Sequence, residues 1–149
     1  MLTLDVCQVD DESRLFISPA IQEWAPLQTY KIDTVIDLEG GLDHCIPSGA
    51  GECLYVYFPI LDEQLPPLAK LHGIAKLGAS LVRDGHVVLS HCGMGFNRSA
   101  LVAGLILVYL GFTGEEAFVL LRRKRPGALF NDVFATSITS SAPYGCSCR

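Results

Sequence analysis

The stretch from His86 to Ser99 constrains this chain more than any other. His86-Val87-Val88-Leu89-Ser90 is short and apolar, which is the pattern of a buried strand. A glycine-punctuated turn, "HCGMGFNRS", follows it, and the residues from Ala100 to Tyr109 then form an apolar helical pattern. A strand that passes through a tight turn into a helix is the repeating unit of α/β domains. Such domains place their ligand crevice at the carboxyl ends of the strands, where this turn lies.

The rest of the chain repeats the alternation. Arg14 to Ile17, Thr34 to Leu38 and Cys53 to Phe58 have strand composition, and the second closes on Gly40-Gly41. A helix is predicted around Ala20 to Leu27, opened by Pro19. Leu68, Leu71, Ala75, Gly78 and Leu81 recur at helical spacing up to Arg83, with Asp84-Gly85 as the stop. Thr113 and Glu116 form a capping-box pattern for a helix through Arg123, and Asn131 or Asp132 caps a last helix reaching about Ser140. The proline-bounded loop "PILDEQLPP" leaves Asp62 and Glu63 outside regular structure. The fold class is therefore α/β, with a central, mostly parallel sheet flanked by helices.

With 149 residues, half of them hydrophobic, one domain over 1–149 is expected, its core at about 14–140 and a fraying tail at 141–149. The formal net charge of −5 argues against general affinity for nucleic acid or anionic lipid, so an anion site must be local. The apolar run Ala100 to Phe112 is shorter than the roughly 20 residues of a membrane span. "MLTLDVCQVDDES" has no signal-peptide pattern, so a cytoplasmic protein with reduced cysteines is expected. Cys146 and Cys148 are separated by a single residue and no histidine pair stands at ligand spacing, so no metal site is expected.

A turn from strand into helix presents free N–H groups and the positive end of the helix dipole to an anion. Gly93 and Gly95 let it curl, and Arg98 on the first helical turn adds a guanidinium suited to two phosphate oxygens. The same field favours the thiolate of Cys92, so a nucleophile and an anion cradle coincide. Cysteine beside glycine is more often packing. The run His91, Cys92, five residues, Arg98, Ser99, set between strand and helix, makes packing the weaker reading.

These residues resemble the signature loop of the cysteine-dependent protein tyrosine phosphatase superfamily. "YFPILDEQLPP" is similar to the general-acid loop of its dual-specificity branch, with Asp62 thirty positions before Cys92, and "RKRPGALFNDVF" is similar to the branch's Arg-Pro and Asn-x-x-Phe segment. The likeness spans about Arg14 to Phe134. It implies hydrolysis of protein phosphotyrosine or phosphoserine/threonine through a cysteinyl phosphate, without cofactor or metal and with a phosphorylated protein as partner. It also implies a role for each matching residue. Cys92 is the nucleophile, Asp62 the general acid with Glu63 as competitor, and residues Gly93, Met94, Gly95, Phe96, Asn97 and Arg98 bind the phosphate. Ser99 is either a partner of the thiolate or a helix cap. His91 orients the loop, and Asn131 supports it by hydrogen bonding. Met94 replaces a smaller residue common in the branch, and the loop carries none of the lysines typical of phosphoinositide phosphatases. The same chemistry on a lipid, glucan or RNA 5′ phosphate is the alternative, and a phosphate-binding module without turnover is another.

Other features receive plainer readings. His44, His72 and His86 are taken as surface or satisfied histidines, Trp24 and the tyrosines as packing, and Arg122 to Arg125 as the basic last turn of a helix.

Overall fold

A computed structural model describes residues 4–142 of the chain. The tail expected at 141–149 lies outside the described residues from position 143 on, Cys146 and Cys148 included. Five strands form one sheet: β1 (Cys7–Gln8), β2 (Leu15–Ser18), β3 (Thr34–Asp37), β4 (Leu54–Tyr57) and β5 (Val88–His91), in the order β1-β2-β5-β3-β4. All neighbours pair in parallel except β1, which runs antiparallel to β2 at one edge. The two-residue β1 is not legible in the sequence, because two residues carry no periodicity.

Both faces of the central strands are covered, so β2, β3 and β5 are buried along their whole length. Alternation divides each strand between two cores. Leu15, Ile17, Ile36 and Val88 face the larger core, against α2 (Leu68–Arg83), α3 (Arg98–Tyr109), α4 (Gly114–Lys124) and α5 (Asp132–Thr139). Phe16, Val35 and Leu89 face the smaller core, with Leu27 of the short α1 (Ala25–Thr29). Helix α3 is buried all round, which explains its uniformly apolar sequence.

Helix α2 has the predicted bounds, and the Thr113–Glu116 capping box opens α4 with both of its reciprocal hydrogen bonds. The helix predicted from Ala20 is instead Ala25–Thr29, because Pro26 has no N–H to give to a preceding turn and so stands at the start. Asn131, not Asp132, caps α5: its Oδ1 accepts from the N–H groups of Val133 and Phe134. No helix among the described residues is long and apolar enough to cross a membrane.

Candidate active site

The carboxyl ends of β5 and β3 lie side by side, with Asp37 paired to His91 in the register. From there the chain enters the loop at residues 92 to 97 and then α3. Cys92 is the first loop residue and is 2% exposed. The Gly95 N–H points at its Sγ from 3.2 Å, and Ser99 Oγ lies 3.5 Å from the same sulfur. Gly95 has φ +76°, and a Cβ there would meet the backbone of Ser18 and Pro19, so close approach to β2 requires glycine. Ser99 is not the helix cap: α3 begins at Arg98, which leaves Ser99 inside its first turn with its hydroxyl turned to the sulfur.

Arg98 spans the mouth. Its Nη1 donates to the Ile60 carbonyl at 3.2 Å and its Nη2 to Glu39 Oε2 at 2.8 Å. Its Nε is buried and has no acceptor among the described residues. Burial works against the Arg98 cation, but the Glu39 hydrogen bond and the charges of Cys92, Glu39 and Asp62 outweigh it and raise the guanidinium pKa. For Glu39, burial is likewise outweighed: Arg98 and the N–H groups of Gly40 and Gly93 hold its carboxyl below the usual range.

Asp62 is exposed on the loop after β4 and lies close to the site. The Asn97 side chain donates to its Oδ2 at 3.4 Å, while the Asn131 side chain donates to its backbone carbonyl at 2.8 Å. The resemblance implies that Asn131 supports the cysteine loop by hydrogen bonding, and its side chain also braces the Asp62 loop. Its contact with the cysteine loop is made by the backbone N–H, which donates to Asn97 Oδ1 at 3.1 Å. Glu63 is exposed and has no such tie among the described residues.

The loop side chains diverge. Asn97 is 2% exposed and Met94 is 71% exposed. Phe96 lies under the Arg125 guanidinium, 4.3 Å from ring centre to Cζ. Neither Asn97 nor Phe96 therefore faces an incoming anion with its side chain, so any contact from these positions is through backbone. Arg125 does not belong to the basic helical turn. It caps the end of α4, with Nη2 on the Met94 carbonyl at 3.3 Å and Nη1 on Asp5 at 2.8 Å, bracing the loop from outside.

Below the loop lies a polar network that sequence reasoning missed. His91 is fully buried, with Nε2 2.7 Å from Asp43 Oδ2 and 3.5 Å from Asp37 Oδ1. A carboxylate only accepts, so Nε2 is the protonated nitrogen. The Tyr55 hydroxyl donates to Asp37 and contacts Asp43 at 3.1 Å. Burial raises the Asp37 carboxyl, against the opposing hydrogen bonds from Tyr55 and the Glu39 N–H, and burial beside Asp37 also raises Tyr55. Asp37, Asp43 and His91 could present three donor atoms to a cation, but Tyr55 and His91 already satisfy the carboxylates. Tyr55, Tyr57 and Trp24 are thus more than packing: Tyr57 accepts from the Gly41 N–H, and Trp24 Nε1 donates to the His44 carbonyl at 2.7 Å. His72 Nδ1 meets Tyr109 and His86 Nδ1 meets Asp33, so both are satisfied away from the site. One signal was available: an aspartate inside the apolar strand "TVIDL" requires a buried partner.

The chain matches no family model and no curated protein sequence. Among solved structures it is similar to Tk-PTP in its active form, at 25% identity and TM-score 0.69 over 89% of this chain and 92% of that one. Human DUSP28 matches at 22% identity and TM-score 0.75, covering 92% of each chain. A mouse putative dual specificity phosphatase complexed with zinc tungstate matches at 23% identity and TM-score 0.75, over 92% of this chain and 86% of that one.

Proposed function

We propose that this chain, which has the fold of the cysteine-dependent dual-specificity phosphatases, hydrolyses phosphate monoesters on proteins, at phosphotyrosine or phosphoserine/threonine. The observation that carries this reading is the convergence on one loop of the Cys92 sulfur, an Arg98 with a buried, unpartnered Nε–H, and Asp62 tied to the loop by Asn97. A buried donor without an acceptor is costly, and an oxyanion supplies the acceptor.

In the first step the Cys92 thiolate attacks phosphorus in line. The S–P bond forms as the ester P–O bond breaks, and Asp62 gives its proton to the departing oxygen. The N–H groups of residues 93 to 98 and the Arg98 guanidinium hold the three equatorial oxygens, where charge sits in the transition state. In the second step Asp62, now a carboxylate, takes a proton from water. That water attacks phosphorus and the thiolate leaves, eased by the nearby Ser99 hydroxyl. Glu39 holds one edge of the guanidinium, and the Asn97–Asn131 pair sets how far Asp62 stands from the sulfur.

The test is phosphate release from a small aryl phosphate between about pH 5 and 8, with reductant and without added metal, comparing wild type with Cys92→Ser. Release in the wild type that vanishes in the variant is expected, and a panel of phosphopeptide, lipid and RNA 5′-phosphate then reads the substrate class. A folded wild type that binds vanadate but releases no phosphate overturns hydrolysis in favour of a binding module.

A further inference from the structure

Beside the signature loop a cavity of about 290 Å³ opens at Gly93. Leu4, Pro19 and Pro26 give it an apolar wall, and Asp5 and Glu23 stand in its lining, which contains no lysine or arginine. Asp5 is committed through one oxygen to Arg125, at 2.8 Å. Glu23 is exposed and makes no ion pair among the described residues. Glu39, close enough to Gly93 that a Cβ there would run into it, is not in the lining and is held by Arg98 at 2.8 Å. The other loop positions, Met94 and Phe96, are uncharged. Within the lining, Glu23 is therefore the carboxylate without an ion pair among the described residues, at the edge of the anion cradle.

We propose that this cavity is a subsite for a lysine or arginine side chain flanking the phosphorylated residue of a protein substrate. This rests on the phosphatase reading above and adds the substrate's neighbouring chemistry. A long cationic side chain matches both features of the lining: its methylene stem covers the wall of Leu4 and Pro26, and its head reaches Glu23. An acidic neighbour meets like charge, and a short apolar one leaves Glu23 unanswered. Gly93 belongs to both the loop and the cavity, and an extended peptide advances about 3.3 Å per residue, so the flanking residue lies within about two positions of the phosphate.

The experiment compares kcat/KM on matched phosphopeptides carrying Arg, Ala or Glu at each position within about two residues of the phosphoresidue. At one position Arg is expected to exceed Ala by about two- to five-fold and Glu to fall below Ala by a similar factor, the scale of a partly exposed ion pair. The spread narrows in high salt. The Arg-to-Glu ratio on one enzyme cancels any change in the shared chemistry, so it is the quantity to follow in variants. Glu23→Gln brings it toward one, and Glu23→Lys inverts it. Equal rates for the three peptides at every position overturn the subsite, as does an Arg preference that survives Glu23→Lys, since the attraction then arises elsewhere. If no substrate turns over, the catalytic reading alone has failed. The same peptides are then ranked by fluorescence anisotropy on Cys92→Ser protein, where Arg above Ala above Glu supports the subsite and equal binding removes it.

Discussion

Below the signature loop Asp37 is fully buried, and at its mouth Glu39, two positions further on, is about a third exposed. The two carboxyls shift in opposite directions. Burial wins at Asp37 and raises it even though Tyr55 donates to it, while at Glu39 Arg98 overcomes burial and lowers it. The floor built around Asp37, Asp43, Tyr55 and His91 meets nearly all of its hydrogen-bonding needs internally, His91 Nδ1 being the exception. At the mouth the Arg98 fork has a donor to spare, and the Asp62 carboxyl faces solvent. A satisfied network holds a backbone in place, whereas a group that meets a ligand must keep bonding capacity in reserve.

Substitutions at the mouth should therefore cost rate and those in the floor should cost stability. The largest effect after loss of Cys92 is expected for Arg98→Lys, with kcat/KM down about 10³-fold, because an ammonium cannot reproduce the planar two-point contact. Steady-state kinetics beside a thermal melt checks it, and near-normal turnover would break the division. Asp62→Ala should lower kcat by about 10²-fold on an activated aryl phosphate and more on an alkyl phosphate, whose leaving oxygen depends more on the proton. Equal losses on both substrates would remove Asp62 as the acid.

Tyr55→Phe tests the floor. It leaves a buried carboxylate short of a donor, at a cost of about 1–3 kcal/mol in denaturant unfolding, with a smaller change in rate. The lost hydrogen bond had favoured ionised Asp37, so its folded pKa rises further and the destabilisation should be greater at pH 8 than at pH 5, both approximate settings.

The smallest effect compares the two carboxyls directly. Glu39 has a folded pKa below its unfolded value of about 4.3, so its contribution to stability is present above that pH and is lost as pH falls through the folded pKa. Asp37 has the opposite sign: above its unfolded value of about 3.9, stability falls as pH rises toward the raised pKa. Glu39→Gln should flatten the acid-side loss in unfolding curves between about pH 3 and 6, and Asp37→Asn should instead remove a loss on the rising side. Identical pH profiles for the two variants would erase the distinction.

Much of the fold was legible because its signals are local. The bounds of α2 follow from helical spacing and the Asp84-Gly85 stop, and the α4 capping box from Thr113 and Glu116. The Cys92–Arg98–Ser99 constellation was legible for the same reason, since one turn brings its members together. The early helix starts later than the sequence pattern predicts because Pro19 and Pro26 offer the same start signal and packing of Leu27 into the smaller core favours Pro26. Glu39 and Asp43 lay in a loop with no periodicity, and they meet Arg98 and His91 across 59 and 48 positions of sequence.

An α/β chain with a cysteine turn at a strand's carboxyl end can be read from the residues alone, because strand period, helix period, glycine turns and caps act over a few residues. Folding selects which carboxylate answers Arg98 and which ones lock His91, and it sets Asn131 against the Asp62 loop and Arg125 against the cysteine loop. Those choices follow from the parallel alignment of β3 with β5 and from the burial it imposes, and these bring distant residues together where no local pattern could.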